Sequence, residues 1–132
     1  MRVPKFRALD RLTGKMFPVG IIDYSIQSVY IEEPNGMYCE RDFDEVELMQ
    51  PTGLKDVRGK EIYEGDIINY KYGRHTSTQF VIKYDEFQAT FVVVDNHNDL
   101  IYTFRELADY IQLNSLEVIG NIYENPELLG GK

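Results

Sequence analysis

The chain has 132 residues, enough for one domain or two small lobes. Hydrophobic residues make up 43%, so a core can form without a cofactor, and none is expected. Acids outnumber bases 22 to 14, a net charge of −8 that repels the phosphate backbone and disfavours generic nucleic-acid binding. The single cysteine, Cys39, allows no internal disulfide and points to a reducing compartment. The segment MRVPKFRALD has no apolar run of signal-peptide length, and no stretch is long enough for a membrane span. A cytoplasmic protein without membrane contact is the expectation.

In chain order, Lys5 to Asp10 alternates in part, and Thr13-Gly14 turns the chain into a second strand, Lys15 to Val19. Pro18 lacks an N–H, so that strand is expected at a sheet edge. Val29 to Glu33 is a strand, Pro34-Asn35-Gly36 a turn, and Met37 to Glu40 the return. The run from Glu40 to Glu45 reads as a solvated acidic loop with Phe43 turned inward. Val46 to Gln50 is a further strand. The stretch Leu48 to Tyr72 is dense in Pro, Gly and Asp. It predicts successive tight turns pinned by Leu54, Ile62, Tyr63 and Ile67, entering a strand at Asp66.

Beyond the turns, strands are expected over Ile67 to Tyr72, Gln79 to Asp85, Ala89 to Val94 and Leu100 to Tyr102. Gly73 to Thr78 and Asp95 to Asp99 read as loops. Phe104, Leu107, Ala108 and Ile111 then fall at helical spacing behind Thr103, with Glu106 three residues on. This is a capping box and predicts a helix over 104–111. Leu116 to Tyr123 is a last strand, before an Asn-Pro turn and a glycine tail at 130–132 that is expected to fray. The fold class is mainly β: a small SH3-type barrel over about 51–129 with one short helix, and a β-rich part over 1–50.

Three motifs carry a resemblance to a known family. They are Lys5-Phe6-Arg7-Ala8-Leu9-Asp10 with Lys15-Met16; LMQPTGLKD from Leu48 to Asp56 with GKEIYEGDI from Gly59 to Ile67; and EVIGNIYENPELL from Glu117 to Leu129. Together they resemble the YopX family of small bacteriophage and prophage proteins. Leu9 stands where the family often has Trp, and Pro51 where it often has Tyr or Phe. The resemblance implies a single YopX-like domain over 1–132, with an SH3-type barrel joined to an N-terminal β-rich part. It implies no enzyme activity, cofactor or catalytic residues, and it places the protein in the cytoplasm of a bacterial host.

No catalytic set assembles from the residues. Cys39 with His75 or His97 lacks a helix N-terminus or basic neighbour, and a structural thiol is the better reading. Asp95, His97, Asp99 and Glu106 have some calcium-loop spacing. Leu100 occupies the place that needs glycine, and Glu106 belongs to the capping box, so no metal is expected. Gly53, Gly59 and Gly65 fit neither phosphate-binding glycine pattern and read as turns. The best surface cluster is Lys71, Tyr72, Arg74, His75, Lys83 and Tyr84, basic and aromatic residues suited to contact phosphate and stack bases. Ordinary strand surface competes with that reading. The expected function is a non-enzymatic accessory module that binds a protein, with a nucleic-acid-binding barrel as the alternative. The apolar residues Phe6, Met16, Phe17, Ile21, Ile22 and Ile31 need cover, and a homo-oligomer formed by the first fifty or so residues would supply it.

Overall fold

The computed structural model describes residues 5–72, 74, 76–95, 100–108 and 115–129. The chain divides into two compact units, Met1–Pro51 and Thr52–Lys132. Both are antiparallel β, and the described residues include one short α-helix. No helix among them is long and apolar enough to cross a membrane.

The first unit contains β1 (Arg7–Asp10), β2 (Lys15–Asp23), β3 (Ser28–Glu32), β4 (Tyr38–Asp42), a 3-10 turn η1 (Phe43–Glu45) and β5 (Val46–Met49). They pair in the order β4-β3-β2-β1-β5. The outermost strands, β4 and β5, are thus joined by three residues. A flat sheet would set them roughly 19 Å apart, whereas 3-10 backbone advances only about 2 Å per residue. The sheet therefore curls. Its inner face holds Ala8, Val19, Val29, Ile31 and Val46, with Phe6, Phe17, Ile22, Cys39, Phe43 and Leu48 packed around them.

Two expectations for this unit are corrected. The strand carrying Pro18 is not an edge, because β2 lies between β1 and β3. Val19 N–H donates to Phe6 O, so the nitrogen of Pro18, one residue earlier, faces away from β1. It faces the β3 side, where pairing begins only at Val19↔Ile31. The missing donor therefore costs no ladder bond. The run from Glu40 to Glu45 is not a loop either. Glu40 to Asp42 complete β4 opposite Tyr30 to Ser28, and Phe43 to Glu45 form η1. Charged side chains are at home there because β4 ends the sheet order and can face water.

The second unit opens with a paired β6 (Pro51–Lys55) and β7 (Glu61–Tyr63). The expectation of turns alone missed β6, whose Pro and Gly disguise a short strand. Then come β8 (Asp66–Tyr72), β9 (Thr76–Asp85), β10 (Thr90–Asp95), β11 (Leu100–Thr103), α1 (Phe104–Ala108) and β12 (Glu117–Asn121). A 3-10 turn, Pro126–Leu129, follows. The order is β11-β10-β9-β8-β12, with β11 and β12 at its two ends. Closure into an SH3-type barrel is not among these pairings. Ile62, Ile68, Phe80, Ile82, Val93, Leu107 and Leu116 form the core cluster on one face. The capping box is present: Thr103 N–H donates to Glu106 Oε1 at 2.9 Å, and Glu106 N–H to Thr103 Oγ1 at 3.1 Å. Leu107 is buried and Arg105 exposed, as the helical spacing requires, while Ile111 and the tail at 130–132 lie outside the described residues.

Candidate functional site

Of the six basic and aromatic residues singled out in the sequence, the described ones fall at two separate places along the β8–β9–β10 ladder. Lys71 pairs opposite Ser77 and Tyr72 opposite Thr76, so these two and Arg74 belong to the turn end of the β8–β9 hairpin. Lys83 and Tyr84 pair opposite Val92 and Phe91, six residues further along β9, roughly 20 Å away by strand rise. Being adjacent in a strand, Lys83 and Tyr84 also point to opposite faces. The Tyr84 ring already packs edge-on against Phe91, 5.2 Å between centroids. His75 lies outside the described residues. The physical reason is that β9 begins at Thr76, where the sequence suggested a loop that would have drawn the two ends together.

The shared motifs resolve into turn-building carboxylates and amides. Asp56 is 6% exposed and accepts three backbone N–H bonds, from Arg58 (2.9 Å), Lys60 (2.8 Å) and Val118 (3.0 Å). It thereby ties the β6–β7 turn to β12. Burial pushes its carboxyl up, but the N–H donors outweigh this and hold it below the usual range. Asp66 accepts from Tyr63 N–H at 2.8 Å. Between them Gly65 sits at φ +89°, donates to Ile82 O and accepts from Ile122 N–H. Asn121 Oδ1 accepts from Tyr123 and Glu124 N–H, and Asn125 Oδ1 from Asn121 N–H. A Cβ on Gly120 would lie 2.6 Å from Asn125 Oδ1, so the NIYEN turn needs glycine before it.

In the first unit, Asp10 is fully buried and accepts from Leu12 N–H, Thr13 Oγ1, Arg41 Nε (2.9 Å) and Arg41 Nη2 (3.2 Å). Burial raises its pKa, and these donors, Arg41 first, bring it below the ordinary value. Arg41 Nη1 also lies 2.7 Å from Cys39 Sγ. The sequence reading missed this basic neighbour, although residues two apart on a strand share a face. The guanidinium is nonetheless spent on Asp10. Among the described residues no three His, Cys, Asp or Glu side chains are grouped to hold a metal.

Two surface features stand out among the described residues. One is the β9–β10 turn, where Phe87 is 99% exposed. Asp85 Oδ1 accepts from Phe87 N–H and Asp85 Oδ2 from Gln88 Nε2, which braces the turn. The other is an open groove of about 320 Å³ in the first unit, lined by Ile26, Gln27, Asp42, Phe43 and Asp44. Neither was found from the sequence. An aromatic at the tip of a tight turn between alternating strands, Glu86-Phe87-Gln88, was the available signal for the first.

The family model for the YopX protein matches residues 5–130. A search of curated proteins gave no match. Among solved structures, the chain is similar to protein EF1440 from Enterococcus faecalis, at 30% identity and a TM-score of 0.65, covering 98% of this chain and 99% of that one. It shares its fold with protein yopX from Bacillus subtilis, at 19% identity and a TM-score of 0.61, covering 94% of this chain and 96% of that one. With a family model spanning nearly its whole length, this chain belongs to the YopX protein family.

Proposed function

We propose that the protein is a non-enzymatic module that binds another protein and serves a phage or prophage in the cytoplasm of its bacterial host. The family resemblance is what supports the phage setting. The observation that supports protein binding is Phe87, 99% exposed on a hydrogen-bonded turn. Burying a Phe side chain contributes about 1.5–3 kcal/mol, a gain that this residue does not collect within the chain. The turn holds it ready, so little ordering entropy opposes its insertion into a partner pocket. The buried motif aspartates, by contrast, have structural partners: Asp56 and Asp66 accept backbone N–H groups, and Asp10 is held by Arg41.

The test is affinity capture from infected or lysogenic cells, read by mass spectrometry, with wild type and Phe87→Ser side by side. The expected outcome is a protein captured by wild type, lost with Phe87→Ser at an unchanged melting temperature, and bound again when both are purified. Recovery of nucleic acid in place of protein, released by salt, would overturn the reading. Sedimentation over a range of concentrations tests self-association, the partner then being a second copy.

A further inference from the structure

The groove in the first unit lies between the β2–β3 turn and η1. Phe43 N–H donates to Gln27 O at 2.9 Å, which fixes the two walls to each other. Gln27 holds φ +56°, an unusual conformation for a residue with a side chain. The apolar part is exposed: Ile26 is 55% and Tyr24 73% accessible, and the Tyr24 ring meets Phe43 edge-on at 5.9 Å. The polar part is acidic, with Asp42 and Asp44 lining the groove and Glu45 next in η1. Its lining includes no Lys or Arg. The nearest cation in sequence, Arg41, points to the other face of β4 and is held by Asp10.

We propose that this groove docks a basic segment of a partner protein. One aliphatic or aromatic side chain of that segment seats between Ile26 and Phe43, and flanking Lys or Arg meet Asp42 and Asp44. Charge complementarity selects this occupant. A net charge of −8 attracts a cationic segment and repels phosphate-bearing nucleic acid and anionic lipid. The volume, about 320 Å³, is at the small end of ligand sites, sized for an anchoring side chain and not for a folded surface. The proposal rests on the protein-binding reading, but on residues other than Phe87.

Its test is titration of the ¹⁵N-labelled full chain with three synthetic peptides, Ac-Gly-Lys-Arg-Leu-Lys-Arg-Gly-amide, its Leu→Ser analogue, and Ac-Gly-Glu-Glu-Leu-Glu-Glu-Gly-amide. The leucine peptide is expected to move the amide signals of Ile26, Gln27, Phe43 and Asp44 to saturation. The serine analogue, and the Ile26→Ser or Asp44→Asn protein, should bind about tenfold or more weakly. Equal response to the leucine and serine peptides would reduce the site to bulk charge and overturn the proposal. So would preference for the acidic peptide, or silence of these signals at millimolar peptide. Concentration-dependent shifts without peptide, with a dimer in sedimentation, would assign the groove to a second copy instead. A partner captured through Phe87 while the groove stays silent removes this inference and leaves the module reading standing.

Discussion

In the first unit the fourth strand reaches the fifth through three residues of η1. In the second, the same step from β11 to β12 takes residues 104–116 and includes α1. Apart from the added β6–β7 pair of the second unit, the plan is otherwise one plan. Each unit is a four-stranded meander whose fifth strand returns beside its first, β4-β3-β2-β1-β5 and β11-β10-β9-β8-β12. Each joint even begins with the same device, a Glu side chain accepting the N–H three residues back: Glu45 from Asp42, Glu106 from Thr103. The difference lies in what the joint gives the core. The short joint supplies only a half-buried Phe43 and leaves an open groove beside it. The long joint supplies Leu107, 3% exposed, to a cluster that already holds Ile62, Ile68, Phe80, Ile82 and Val93. A short joint builds a surface, and a long joint builds a core.

The sharpest way to break this comparison is to truncate both joints. Leu107→Ala should cost about 2–5 kcal/mol, the range for a buried leucine that leaves a cavity. Phe43→Ala should cost less than Leu107→Ala, because Phe43 keeps part of its surface in water. Urea unfolding of the full chain gives both values. Equal losses, or a larger one at Phe43, would mean that the first unit has the deeper core.

Asp56 marks a second asymmetry: its buried carboxylate ties the entry turn of the second unit to β12 through backbone N–H groups, whereas the first unit ties its first turn to β5 by the exposed Arg11–Glu47 pair. Asp56→Ala strips the N–H of Val118 of its partner and should cost about 3 kcal/mol. Its pKa is lowered on folding, so its contribution is complete above the unfolded value near 3.8 and is lost as pH falls through the folded value. Asp10 acts in the same direction through Arg41. Wild-type stability should therefore fall on acidification below about pH 4, and Asp56→Asn should flatten that limb. An unchanged acid limb in the variant would remove the carboxylate from this role. Next in size is Gly65→Val, where a β-branched residue at φ +89° should cost about 1–3 kcal/mol. A thermal melt suffices to measure it.

How much of this was readable in advance depended on the range of each interaction. The helix start was legible because Thr103 and Glu106 are three residues apart and the apolar spacing agrees. Gly65 was legible because tight turns announce themselves locally. Asp56 looked like another turn residue, since its third donor, Val118, lies 62 residues away. Pro18 misled because edge position depends on which strand pairs next, not on the proline. The shared plan of the two units was hidden for the same reason: strand order is set by pairing, and the two halves share no repeated sequence. The spread of the basic and aromatic residues was hidden because a longer β9 carries Lys83 away from Lys71. The groove was hidden because Tyr24 and Ile26 sit in a turn, where nothing local predicts that Phe43 will close beside them.

The smallest expected effects probe the device that the two joints share. Thr103→Ala removes the hydroxyl that accepts the Glu106 N–H and should cost about 0.5–2 kcal/mol, the range for a lost N-cap. Glu45→Ala removes the acceptor of the Asp42 N–H at the edge of a curled sheet, where water can replace it. Its global cost should be at the low end, about 0.5 kcal/mol. Native-state hydrogen exchange separates the two. In Thr103→Ala the loosened joint carries Leu107, so protection should fall across β10 and β11, which pack with α1 and share its core. In Glu45→Ala the joint carries only a rim aromatic, so the loss should stay at Asp42 and Phe43, beside the groove. If protection in the first unit falls throughout instead, then η1 is as much a keystone of its unit as α1 is of the second, and the contrast between the joints disappears.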